Sequence, residues 1–136
     1  MRFWLPALIG WAVLIFILSS IPNPPGAQGS EWRSIVGHLV EYFVLAFLLA
    51  KVLELWRPGF GWPVIALWAW LFAVAYGITD EYHQSFVPRR QSSVFDVLVD
   101  AVGALGGISA WLTLGAQTQT AGDSKAAGRS PNRDSD

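Results

Sequence analysis

Between Tyr76 and Gly107 the chain reads YGITDEYHQSFVPRRQSSVFDVLVDAVGALGG, which sets Asp80, Glu81, His83, Gln84, Arg89, Arg90, Asp96 and Asp100 between two apolar runs. Upstream, His38 and Glu41 interrupt a third apolar run. Helical spacing puts His38 with Glu41, Asp80 with His83, and Asp96 with Asp100 on shared faces, because residues three or four apart are neighbours on a helix. These residue types support three chemistries. A histidine oriented by a carboxylate can hold or move a proton. Histidine and carboxylate at i, i+3 recur in metal-binding bundles. Arginine beside acids can receive a polar, phosphate-bearing headgroup.

The elements that must position these groups are apolar. The chain has 136 residues, 53% hydrophobic and 14% charged, with a mean hydropathy of +0.40, and an ordinary soluble domain is less apolar than this. Phe3 to Ile21 carries no charge and has the length of about 20 residues that a helix needs to cross a bilayer. "PNPPGAQG" then breaks the helix, since proline lacks the amide hydrogen and glycine is too free. Further spans are predicted over 34–56, 59–79 and 93–115, with "RPGFGWP" separating the second from the third. The expectation is an all-α, polytopic membrane protein, a bundle of four transmembrane helices occupying residues 1–116. Residues 117–136 are small and polar, and are expected to form a disordered tail.

A cleavable signal peptide is the competing reading of the first helix. The apolar run is too long for an ordinary h-region, and "NPPGAQG" is a poor small-x-small cleavage site, so retained helices are expected. Most Lys and Arg (Arg2, Lys51, Arg57, Lys125, Arg129, Arg133) then fall on the side of the termini, against Arg33, Arg89 and Arg90 on the other. Basic residues stay in the cytoplasm, so the expected placement is a multi-pass membrane protein with cytoplasmic termini and the charged cluster at the outer face. Glu41 and Asp100 lie about 10 Å below that face at 1.5 Å per residue. A carboxylate at the bilayer centre costs on the order of 3 kcal/mol, less toward the interface, which demands a partner or a wet cavity. The formal net charge of −1 offers no basic surface to nucleic acid, and the absence of cysteine removes disulfides and thiolate chemistry.

Purely structural roles compete for the same residues. Ser93 and Asp96 have capping-box spacing, whereas Asp100 lies a turn deeper, beyond the free amides. Asp80 and Glu81 sit at a helix C-terminal end, which disfavours anions, and Arg89 and Arg90 can offset them in an ion network. His38 and His83 can be interior hydrogen-bonded histidines. Gly103, Gly106 and Gly107 include a GxxxG spacing that permits close helix approach. Ser85, Ser92 and Ser93 lack the GxSxG setting of a hydrolase nucleophile.

The blocks "GHLVEYFVLAFLL", "YGITDEYHQSFVPRR" and "SVFDVLVDAVGALGG", in this order and spacing across Ser34 to Leu112, resemble the VanZ-like family of small bacterial membrane proteins. The family motif falls on His38, Glu41, Tyr42, Asp80, Glu81, His83, Gln84, Arg90, Asp96, Asp100 and Gly103. Many members carry Asp-Lys where this chain has Ser34-Ile35, and glycine where it has Arg89. The resemblance implies a polytopic helical protein of the cell envelope, in a family named for low-level resistance to the glycopeptide teicoplanin.

Three functions compete. The first is a nonenzymatic protein binding a lipid-linked or lipid-like ligand at the outer leaflet through His38, Glu41, Asp80, Glu81, His83, Gln84, Arg90, Asp96 and Asp100, with Arg90 meeting phosphate. Membrane lipids, a lipid-linked envelope precursor or a lipoglycopeptide are its expected partners. The second is an intramembrane enzyme on a phosphate-containing lipid, with His83 as base or nucleophile and Asp100 or Glu81 orienting it. No resident cofactor is expected, and a divalent metal, if held, would take its donors from His38, Glu41, Asp80 and His83. The third is a small proton- or cation-coupled carrier using the intramembrane acids. A homo-oligomer through the GxxxG of the fourth helix is the expected route of self-association.

Overall fold

The computed structural model describes residues 2–22, 31–90 and 92–127, with side chains as far as 115. Four helices follow one another, α1 over Trp4–Ser19, α2 over Glu31–Trp56, α3 over Trp62–Gln84 and α4 over Val94–Ala127, and there is no strand among the described residues. Three of them are long and apolar enough to cross a membrane, over Trp32–Trp56, Trp62–Gln84 and Val94–Gly115. Their outer faces are also apolar, with Leu67, Phe72, Leu98, Val102 and Leu105 all at least half exposed. Such a chain needs a solvent other than water on its flanks.

The ends of the helices are set locally. α1 has 16 residues, about 24 Å at 1.5 Å per residue, and is shorter than the predicted 3–21 span. Ser19 and Ser20 each turn a hydroxyl back onto Phe16 O, at 3.0 and 2.6 Å, and Pro22 biases Ile21 away from helix. α3 is displaced from the predicted 59–79. Gly61 holds the extended N-cap with proline in the first turn, where a missing amide costs nothing. At the other end nothing breaks the helix until Gln84, so Asp80, Glu81, His83 and Gln84 belong to its last two turns. α4 continues as backbone helix to Ala127, where the sequence suggests a disordered tail from 117. Residues 128–136 of that tail, and most of the "PNPPGAQG" loop, lie outside the described residues.

The core runs through Ile15, Tyr42, Leu45, Ala46, Ala69, Ala73, Ala104 and Trp111. α2 and α4 make the closest approach. A Cβ added to Gly103 would lie 2.6 Å from Leu39 O, and one at Gly107 would collide with Phe43 O. The glycine pair whose GxxxG spacing permits close helix approach packs α4 on α2 within the chain. Indole and phenol donors tie the other helices to backbone carbonyls: Trp11 Nε1 to Glu41 O at 2.9 Å, Trp70 Nε1 to Ala101 O at 3.2 Å and Tyr76 Oη to Ala12 O at 2.6 Å. Such bonds hold helices together where lipid supplies no hydrophobic drive.

Candidate functional site

The antiparallel order brings the end of α1, the start of α2, the end of α3 and the start of α4 to one end of the bundle. His38 and Asp100 meet there. His38 Nδ1 donates to Asp100 Oδ1 at 2.9 Å, with His38 6% and Asp100 0% exposed. Room for the carboxylate is made by Gly77 on α3, since a Cβ there would come within 2.8 Å of Asp100 Oδ2 and 3.3 Å of the Tyr42 ring. Tyr42, one turn past His38, stacks parallel to its imidazole with centroids 6.4 Å apart.

α3 supplies Asp80, Glu81 and Gln84, all buried. Gln84 Nε2 donates to Asp80 Oδ2 at 2.7 Å, one turn along the same face. Glu81 Oε2 accepts the Ser93 backbone N–H at 2.8 Å, while Ser93 Oγ accepts from Phe95 N at 3.1 Å. The capping box expected for Ser93 and Asp96 is thus half formed. Ser93 caps the helix, but the acid answering its amide is Glu81 from α3. Asp96 is half-buried and released from that duty. Glu41, also half-buried, lies within electrostatic reach of His38, Asp80, Asp100 and Arg90.

Arg90 reaches the cluster from the α3–α4 turn. Pro88 and Arg89 occupy the middle of that turn, closed by Arg90 N to Val87 O at 3.1 Å. Arg89 takes φ 66°, the left-handed conformation that glycine adopts without strain at this turn position. The turn aims Arg90 Nη2 at Leu18 O, 2.6 Å away on α1. Arg89 itself is exposed.

The expected groupings are rearranged in one respect. His83 lies one turn from Asp80 in sequence, but its ring faces the end of α1, with Nε2 3.0 Å from Ser20 Oγ and its centroid 4.6 Å from that of the Phe16 ring. Asp100, expected to orient His83, binds His38 instead. Among the described residues, the histidine and acid donors that converge are His38, Glu81 and Asp100, rather than the predicted His38, Glu41, Asp80 and His83. Ser85 and Ser93 have structural work, Ser85 Oγ donating to Tyr82 O at 2.6 Å. Ser20, Gly77 and the Leu18 carbonyl went unnoticed in the sequence, and only Gly77, a glycine in an apolar helix three residues before Asp80, carried a readable sign.

Five buried side-chain atoms have no hydrogen-bond partner among the described residues: Tyr42 Oη, Asp80 Oδ1, Glu81 Oε1, Arg90 Nε and Asp100 Oδ2. All belong to this one end of the bundle. Unmet polar atoms of this kind are rare and costly in a folded interior. Beside them an apolar cleft of about 260 Å³ opens between α1 and α2, lined by Trp11, Leu14, Leu18, Gly37 and Val40 and reaching Glu41. Such an arrangement can take a polar group among the acids and an apolar group in the cleft.

No curated protein sequence matches the chain, and no solved structure does. A family profile described as VanZ/LLP1 matches residues 4–115, a stretch that holds all four helices up to Gly115 and every residue of the buried cluster. The chain belongs to the VanZ/LLP1 family.

Proposed function

We propose that this protein binds a lipid-like ligand at the outer leaflet of the bacterial inner membrane, headgroup in the buried cluster and acyl chain in the α1–α2 cleft. The carrying observation is the adjacency of the two: Glu41 lines the cleft and lies in the electrostatic field of His38, Asp80, Asp100 and Arg90. Pockets for small ligands combine an apolar wall with a few convergent polar groups in this way. The ligand class includes a lipid-linked envelope precursor and lipoglycopeptides, and reduced teicoplanin susceptibility of a sensitive host is the corresponding cellular phenotype.

Gly37 offers the test. A Cβ there meets nothing within 4 Å, and Gly37 lines the cleft, so Gly37→Phe is the substitution chosen to occupy it. Native mass spectrometry of gently solubilised protein is expected to find lipid on the wild type and at least tenfold less on Gly37→Phe, at unchanged melting temperature. Equal lipid on both proteins rejects the cleft as the acyl site.

A second reading draws on the His38–Asp100 pair, since a carboxylate that fixes the tautomer and orientation of an imidazole is the arrangement of a general base. On that reading an intramembrane enzyme would use His38, with His83 held apart by Ser20. Turnover of a phosphate-containing lipid, lost in His38→Gln while lipid binding persists, would favour it over simple binding. A carrier has less support, because the acids gather at one end of the bundle.

A further inference from the structure

We propose that His38, Glu81 and Asp100 form a binding site for a divalent transition-metal cation such as zinc or manganese. One nitrogen of His38, one oxygen of Glu81 and one of Asp100 lie within 4.8 Å of one another, and all three residues are buried. Each comes from a different helix, so the convergence is a product of the fold and not of local spacing.

Two further observations indicate a missing partner. Asp100 is 0% and Glu81 5% exposed, and each has one oxygen without a hydrogen bond, Oδ2 and Oε1. The hydrogen bond from His38 meets only Asp100 Oδ1, and the Ser93 amide meets only Glu81 Oε2. Two carboxylates and a neutral imidazole balance the charge of a dication on these three residues. The donor set selects the metal class: an imidazole favours zinc, iron or nickel, carboxylates extend the range to manganese, and the chain has no cysteine. Gly77 and Tyr42 wall the Asp100 side of the site, which limits it to a small occupant.

The inference stands on the donor geometry and not on the lipid reading, so the two are separable. Full-length protein carrying no polyhistidine tag is stripped with chelator and dialysed against zinc or manganese chloride. Excess metal is then removed, and bound metal is counted by inductively coupled plasma mass spectrometry. About one equivalent per chain is expected for wild type, His83→Gln and Gly37→Phe, with at least tenfold weaker retention in Glu81→Gln and Asp100→Asn. Added metal should raise the melting temperature of wild type and leave that of Glu81→Gln unmoved; this variant keeps a side-chain oxygen to accept the Ser93 amide and so guards against simple misfolding. Wild type that retains no metal, or retention equal in Glu81→Gln and wild type, overturns the proposal.

Discussion

At the scale of single residues, Arg89 and Arg90 show how adjacent identical side chains take different work. Arg90 is directed inward to the Leu18 carbonyl, whereas Arg89 holds the backbone at φ 66° with its side chain exposed. Glycine is the residue a left-handed turn favours, so Arg89 brings strain as well as charge to this position. Arg89→Gly is expected to raise stability by up to about 1 kcal/mol, the left-handed penalty less the chain entropy that glycine loses. A thermal melt in detergent that shows no gain would mean that the exposed guanidinium itself stabilises the turn. The polar residues at this end of the bundle were legible in the sequence; their pairings were not. Spacing reports which residues share a face of one helix. It says nothing about which neighbour that face meets, which is why spacing pairs His83 with Asp80 although its ring lies against Ser20 and Phe16, and why the long-range bond between His38 and Asp100 is not readable from it.

At the scale of helices, the four apolar runs foretold the four elements because uninterrupted hydrophobicity of this length has few other outcomes. Boundaries were less readable. Polar residues from Asp80 onward suggested that the third helix had ended, yet the helix continues because those side chains point into a polar interior of the bundle. The close approach of α2 and α4 depends on Gly103 and Gly107, and Gly107→Ala places a methyl group against the Phe43 carbonyl. Backbone cannot rotate away as a side chain can, so a loss of about 3 kcal/mol or more is expected. Gly10→Ala serves as the control, since nothing lies within 4 Å of the added carbon. Comparable melting temperatures for Gly107→Ala and Gly10→Ala would show that the two helices can separate without penalty. Because the same interface brings His38 to Asp100, Gly107→Ala also tests whether packing sets the site.

For the molecule as a whole, the distribution of basic residues supports cytoplasmic termini, and the absence of cysteine makes this simple to check. Ser92 and Gly59 are exposed at opposite ends of the bundle. In intact spheroplasts a membrane-impermeant maleimide is expected to label Ser92→Cys and to reach Gly59→Cys only after lysis; the reverse pattern would place the acidic cluster in the cytoplasm. The bond between His38 and Asp100 spans 62 residues of sequence, and this has a bearing on biogenesis. At about 5–20 residues per second of synthesis, α2 waits roughly 3–12 s for the helix that bears its partner. During that interval His38 must be kept hydrated, and its position in the first third of α2 keeps it within reach of the lipid headgroups. The carboxylate that finally meets the imidazole is itself near the beginning of α4. Both halves of the site can therefore remain at the membrane surface until they meet, and the deepest polar pair in the protein never has to enter the hydrocarbon unaccompanied.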